Sequence, residues 1–163
     1  MIAHPEPALA FASHDHRRCS GGLIARAEAI AAEKAVRLTP VRRRVLEILI
    51  EGHRALGAYE VLDRLALEGF GSQPPVVYRA LDFLTEQGLV HRIAGLNAYM
   101  ACTHPGTAHT PALLICRSCR TVAEAAADDA MTEIATLAEA TGFEADRVSI
   151  EVLGACPSCR CAT

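Results

Sequence analysis

Apolar positions recur along the first half of the chain with the period of a helix. Thr39-Pro40 reads as a helix start, with the hydroxyl at the cap and proline in the first turn. Val41, Val45, Leu46, Ile48 and Leu49 follow at helical spacing, and Gly52 closes the run. An Ala-rich stretch with spaced charges predicts an earlier helix over about residues 22–37. A third covers 58–68, with Val61, Leu62 and Leu65 on one side and Gly69 and Gly71 as stops. The fourth, from Pro75 to Gln87, buries Val77, Leu81 and Leu84 at i, i+4, i+7 and turns Tyr78, Arg79 and Asp82 away from that stripe.

After Gly88 the pattern shortens to LVHRIAGLNAYMA, two strands around a turn at Gly95-Leu96-Asn97. Helices closed by such a hairpin form the pattern of a winged helix-turn-helix, here over residues 21–101, behind a flexible arm at 1–20. Residues 102–111, rich in Thr, Pro and Gly, read as a hinge. Strands at 112–116 and 121–125, a helix at 128–141 and a strand within 148–153 then predict a small α/β domain over 112–163. The expected fold class is α+β, with no internal repeat.

The 163 residues are 51% hydrophobic and 21% charged, a globular composition with much of its apolar share in Ala. No apolar run nears the ~18–20 residues needed to span a bilayer, and the N-terminal stretch lacks a basic segment followed by an apolar one. A cytoplasmic protein with no membrane partner is expected. Net charge is −3, split unevenly: residues 1–95 hold 12 basic against 11 acidic side chains, residues 96–163 hold 4 against 8. No general basic field results, but Arg42, Arg43 and Arg44 form a local cluster able to meet phosphates or to serve as a solvated helix face.

Seven cysteines in a reducing compartment favour metal binding or thiol chemistry over disulfides. Cys116-Arg-Ser-Cys119 and Cys156-Pro-Ser-Cys159 are two knuckles separated by 36 residues. Together they can surround one tetrahedral zinc with four thiolates, a closed structural site. A redox dithiol usually stands alone at a helix start, whereas this chain has two pairs. Around the hinge lie further donors: His91, Cys102, His104, His109 and Glu124. One sulfur, two imidazoles and a carboxylate would make a second zinc tetrahedron, although spacing alone does not choose His109 over His104. His14, His16 and Cys19 in the arm could hold a third metal, and Cys161 reads as a spare thiol.

LTPVRRRVLEIL, AYEVLDRL, PPVVYRALDFLTEQGLVHRI, AYMAC, LLICRSCRTVAE and TGFEADRVSIEVLGACPSC span roughly residues 38–159. In these stretches the chain resembles the ferric uptake regulator superfamily, most closely its zinc uptake regulator branch. The resemblance implies a DNA-binding winged helix followed by a dimerisation domain. It implies structural zinc at Cys116, Cys119, Cys156 and Cys159 and regulatory zinc at His91, Cys102, His109 and Glu124, two ions per chain. Tyr59 is similar to a family DNA-contacting position, and Arg79 on the recognition helix can donate a bidentate pair to guanine. Tyr78 either supports the fold or meets the DNA backbone.

The function so implied is zinc-dependent repression of zinc-uptake genes by a homodimer on double-stranded operator DNA, with no small-molecule substrate. Cys102 favours zinc over iron, because thiolate is a soft donor, and THPGTAHTP replaces the HHDH-type motif of iron-sensing relatives. An iron- or peroxide-responsive repressor, a thiol redox protein, a zinc hydrolase and a protein-binding zinc module are the alternatives. Arg120 stands where a glycine commonly follows the first knuckle, which predicts an altered turn.

Overall fold

The computed structural model describes residues 9–11, 16–107 and 109–160, with side chains of 9 and 16–19 excepted. His14 and Cys161 fall outside the described residues, as do the side chains of His16 and Cys19, so the arm cluster is not defined structurally. Helix α1 (His16–Glu33) leads into α2 (Pro40–Ile50), strand β1 (Leu56–Gly57), α3 (Ala58–Leu67) and α4 (Pro74–Glu86). The hairpin is β2 (Val90–Ile93) and β3 (Ala98–Ala101), joined by a 3-10 turn at Ala94–Leu96 with Asn97 left-handed at φ 46°.

Thr39 caps α2 as expected, its Oγ1 accepting from the Arg42 N–H at 3.4 Å with Pro40 in the first turn. At α3 no side chain caps from Gly57; instead the Glu60 carboxylate reaches back to the Gly57 N–H at 2.7 Å. Val77, Leu81 and Leu84 are buried together with Val45, Ile48, Leu49, Val61 and Leu65 in one core, so the periodic positions face inward. Helix α1 joins that core through Ala27 and Ile30.

The boundaries of α1 differ from expectation. It begins at His16, inside the stretch assigned to an arm, and continues through Gly21-Gly22 before ending at Glu33. Two glycines cost roughly 1 kcal/mol each in a helix, but Ala27, Ile30 and Ala31 anchor the following turns in the interior. Extending an anchored helix by a turn is far easier than nucleating one. Residues 9–11 also depart from the arm reading, forming a 3-10 turn beside β5.

The second half comprises β4 (Ala112–Cys116), β5 (Val122–Ala125), α5 (Asp128–Ala140), β6 (Ile150–Gly154) and a short α6 (Pro157–Arg160) absent from the sequence reading. The sheet order is β5-β4-β6, with β4 antiparallel to β5 and parallel to β6. Leu113 is in register with Glu124 on β5 and with Glu151 on β6, so these three side chains share one face. Among the described residues, no helix is long and apolar enough to cross a membrane.

The two halves share a core. Ile93, Ala98 and Met100 of the hairpin and Ala55 before β1 pack with Leu113, Ile115 and Val122 of the second sheet. Backbone pairing reinforces it: the Ala55 N–H donates to the Arg120 carbonyl at 3.0 Å, and the Val122 N–H to the His53 carbonyl at 2.8 Å. Residues 102–111 are therefore not the sole link between the halves, as a hinge reading would have it. Gly106, at φ +85°, also lets the connection lie against α1, where an added Cβ would sit 2.7 Å from the Arg26 guanidinium.

Candidate metal centres and nucleic-acid interface

Each cysteine knuckle follows a strand that ends beside the other. Cys116 closes β4 and is paired with Gly154 at the end of β6, which brings Cys156 alongside. The four sulfurs of Cys116, Cys119, Cys156 and Cys159 all lie within 4.8 Å of one another, with Cys119 Sγ and Cys156 Sγ 3.8 Å apart. A tetrahedron of 2.3 Å zinc–sulfur bonds has edges of about 3.8 Å, so the cluster fits a four-thiolate ion.

The surroundings already favour negative sulfur. Backbone N–H groups, that of Cys119 first and then that of Cys156, hold the Cys116 thiol down at about 6. Thr121 Oγ1, 3.1 Å from Cys119 Sγ, lowers that thiol as well. Cys159 is pushed up to about 12 by sharing with Cys156, then Cys119 and Cys116. The polypeptide thus accommodates only part of the charge that four thiolates would bring, and a divalent cation would supply the rest.

Arg120 completes the first knuckle at φ +61°, in the left-handed region that a glycine would occupy without a Cβ clash. Its N–H donates to the Cys116 carbonyl at 2.9 Å, its own carbonyl accepts from Ala55, and its guanidinium pairs with Glu60 at 3.2 Å. Arg54 Nε donates to the Cys119 carbonyl at 3.1 Å. These contacts tie the knuckle to the start of α3. They span about sixty residues of sequence through single polar atoms, and no local sequence pattern announces them.

The second cluster assembles from four different segments. His91 comes from β2, Cys102 from the residue after β3, His109 from the connection and Glu124 from β5, with all four donor atoms within 4.8 Å of one another. His109 Nε2 lies 3.1 Å from Glu124 Oε2 and 3.6 Å from Cys102 Sγ, while His91 Nε2 is 3.4 Å from Glu124 Oε1. Zinc bonds of 2.3 Å to sulfur and about 2.05 Å to nitrogen or oxygen give edges of about 3.3–3.6 Å, close to these separations. His91 Nε2 is buried and makes no hydrogen bond of acceptable geometry, an orphan that a cation would satisfy.

Protonation follows from the same packing. Burial raises the Glu124 carboxyl, but the neighbouring His91, the Thr103 N–H at 2.7 Å and His109 outweigh it and hold it below the ordinary range. Burial first, then the charge of Glu124, pushes the Cys102 thiol up to about 12. Without a cation the site keeps a neutral thiol beside an ionised carboxylate; metal binding there would release the thiol proton. His104 stands outside the tight group, its side chain 69% exposed and its Nδ1 4.0 Å from Glu124.

On the helical half, Tyr78 and Arg79 lie on the outer face of α4, and Tyr59 at the start of α3 is 64% exposed. The three arginines do not form one basic face. Arg44 bonds Glu68, Glu51 and Glu47, with Glu68 contributing most to raising its pKa. Arg43 pairs with Glu28 and Glu47. The Arg42 guanidinium stacks 3.6 Å above the Phe83 ring and donates to the Arg37 carbonyl. Sequence spacing could not reveal these acidic partners, because Glu28 and Glu68 come from other helices.

A model of the ferric uptake regulator family matches residues 33–153. The chain belongs to that family. Within it, the zinc uptake regulation protein of Escherichia coli K12 is 41% identical over 138 residues, covering 84% of this chain and 81% of that protein; the Shigella flexneri protein gives the same figures. A solved zinc uptake regulator complexed with zinc and DNA superposes with a TM-score of 0.82 at 40% identity, over 88% of this chain and 96% of that one. Holo XcZur gives 0.78 and apo XcZur 0.52, both at 35% identity, over 86% and 88% of this chain and 98% and 99% of theirs. The winged-helix and dimerisation architecture is thus that of the family, and the chain superposes more closely on the holo than on the apo relative.

Proposed function

We propose that this chain is a zinc-responsive transcriptional repressor that binds operator DNA as a zinc-loaded homodimer and represses zinc-uptake genes. The observation that carries the reading is the cluster of His91, Cys102, His109 and Glu124, because its donors come from both the DNA-reading half and the β4–β6 sheet. The likeness to relatives solved with zinc and DNA supports the same reading. Two ions per chain are expected, one at the four cysteines and one at the mixed cluster. When bound at the mixed site, zinc supplies bonds that fix β2, the end of β3, the connection and β5 as one unit.

The chain's own residues do the rest. His91 and Cys102 hold the hairpin, and with it α4, against Glu124 of the sheet. Arg79, exposed on α4, reads a base edge, with Tyr59 and Tyr78 also exposed at the start of α3 and on α4 and Arg42 stacked on Phe83 of α4. Arg43 and Arg44 meet phosphates only where DNA displaces their carboxylate partners. The soft Cys102 donor favours zinc over iron. Each cluster offers four protein donors, which suits holding an ion rather than activating a substrate at an open position. Binding to chromosomal operators puts the protein in the cytoplasm.

Dimerisation is supported by α5, none of whose residues is buried in the single chain. Leu137, Phe143, Val152 and Leu153 are large apolar side chains left exposed on this part of the molecule. An amphipathic helix without a covered face calls for a partner, and a second copy would present two α4 helices to half-sites about 34 Å apart.

The test starts from DNA fragments selected from a random pool by the zinc-loaded protein. Binding is measured across buffered free zinc for wild type and Cys102→Ser. Zinc-dependent binding by wild type, with the variant retaining one ion per chain and losing DNA affinity, is expected. Equal affinity with and without the second ion would refute the switch.

A further inference from the structure

The hairpin is gripped at both ends from one face of the second sheet. Glu124 and Glu151 are the two register partners of Leu113, on its opposite sides. Glu124 meets the base of the hairpin through His91 and the segment after β3. Glu151 meets its tip: Oε1 accepts from the Ala94 N–H at 2.7 Å and Oε2 from the Gly95 N–H at 2.9 Å. Two successive backbone donors around one carboxylate form an anion-holding nest. The fit also restricts residue 95, since a Cβ there would lie 2.8 Å from Glu151 Oε2. Gly95 is not at positive φ, so an added side chain is resisted only by the carboxylate, which would have to shift off the two N–H groups to admit it.

We infer that Glu151 is a positioning residue: a metal-independent latch on the hairpin tip that sets how much zinc the mixed site needs before the DNA-binding half is fixed. This rests on the zinc-switch reading above. The base of the hairpin is held by a cluster suited to a cation, whereas the tip is held by hydrogen bonds that need none. When only a fraction of molecules is docked, the apparent dissociation constant of a ligand that requires docking rises by the inverse of that fraction. The latch enlarges the docked fraction in the zinc-free chain and so lowers the zinc threshold.

Two variants of the full-length protein probe the same contact from opposite sides, Glu151→Ala and Gly95→Ala. Zinc affinity of the mixed site is read by chelator competition with the four-cysteine ion retained. Each variant should weaken that affinity by roughly threefold to tenfold, the scale of one ordinary net hydrogen bond, because both contacts are solvent-exposed. DNA affinity at saturating zinc should stay within about twofold, and the double variant should bind zinc no more weakly than Glu151→Ala alone.

In zinc-depleted protein, amide exchange at residues 94 and 95 should accelerate in Glu151→Ala. This arm and the zinc titration decide the latch even if wild type shows no zinc-dependent DNA binding, a result that would sink only the repressor reading. Should Glu151→Ala fail to fold, Gly95→Ala carries the comparison alone. Unchanged zinc affinity in a folded variant, or additive losses in the double variant, would overturn the proposal.

Discussion

Ile115 offers the sharpest test of whether the two halves behave as one body. It sits on β4, 2% exposed, in the core formed with Ile93, Ala98 and Met100 of the hairpin. Ile115→Ala removes three carbons, about 2.4 kcal/mol at ~0.8 per methylene, rising toward ~4 kcal/mol if the cavity does not collapse. With a urea dependence of about 2 kcal/mol/M, the unfolding midpoint should fall by roughly 1–2 M. The three tyrosines, Tyr59, Tyr78 and Tyr99, all precede residue 102, so tyrosine fluorescence reports on the DNA-reading half alone. A shared core requires the tyrosine transition to move with the circular dichroism transition. If the tyrosine midpoint stays put while the other shifts, the halves unfold independently and the docking described here is wrong.

Three further outcomes are expected. Arg79→Ala should weaken DNA binding by about 1–3 kcal/mol through loss of a bidentate base contact, measured by fluorescence anisotropy at fixed salt with zinc saturating. Glu68 is held below its ordinary 4.5, chiefly by its hydrogen bond to Arg44, so its contribution to stability is present above that pH and disappears as pH falls through the lowered value. The difference in melting temperature between wild type and Glu68→Gln should accordingly be visible at pH 7 and shrink progressively as pH falls below 4.5; a constant difference would contradict the pairing. Leu137→Asp, on the uncovered face of α5, should shift sedimentation toward the monomer without unfolding the chain.

Much of this architecture is legible in the chain because it depends on near neighbours. Thr39-Pro40 marks its helix start, Val77, Leu81 and Leu84 mark a buried stripe, and the pair of C-x-x-C knuckles marks a sulfur site, all within a few turns of backbone. The mixed cluster is harder to read. Its donors lie up to 33 positions apart, on four segments, and His104 is as available by spacing as His109 until the connection is folded against α1 and β5. Contacts made by one polar atom across the fold leave no sequence trace. Glu151 reads as an ordinary charged residue in a short strand, and the carboxylates that engage Arg43 and Arg44 include two from other helices. Residues 16–20 mislead in the other direction: their aperiodic composition reads as the end of an arm, and the buried face further along α1 carries the helix back through them.

Docking of the halves is a contest in which one contribution changes sign with the metal. Apolar packing of Ile93 and Met100 on Leu113 and Ile115 and the Glu151 contact favour docking with or without a cation. Against them stands His91, whose buried Nε2 lies 3.4 Å from Glu124 Oε1 without a hydrogen bond of acceptable geometry; a poorly satisfied buried polar atom costs up to about 1–3 kcal/mol. A cation at that nitrogen converts the penalty into a bond. His91→Leu separates the two states, because the apolar side chain removes the orphan and the ligand together. In zinc-depleted protein the variant should melt at or above the wild-type temperature, and in excess zinc below it, with the four-cysteine ion present throughout. An equal loss of melting temperature in both conditions would mean that His91 serves packing alone, and that the mixed cluster has no part in deciding how the halves are held.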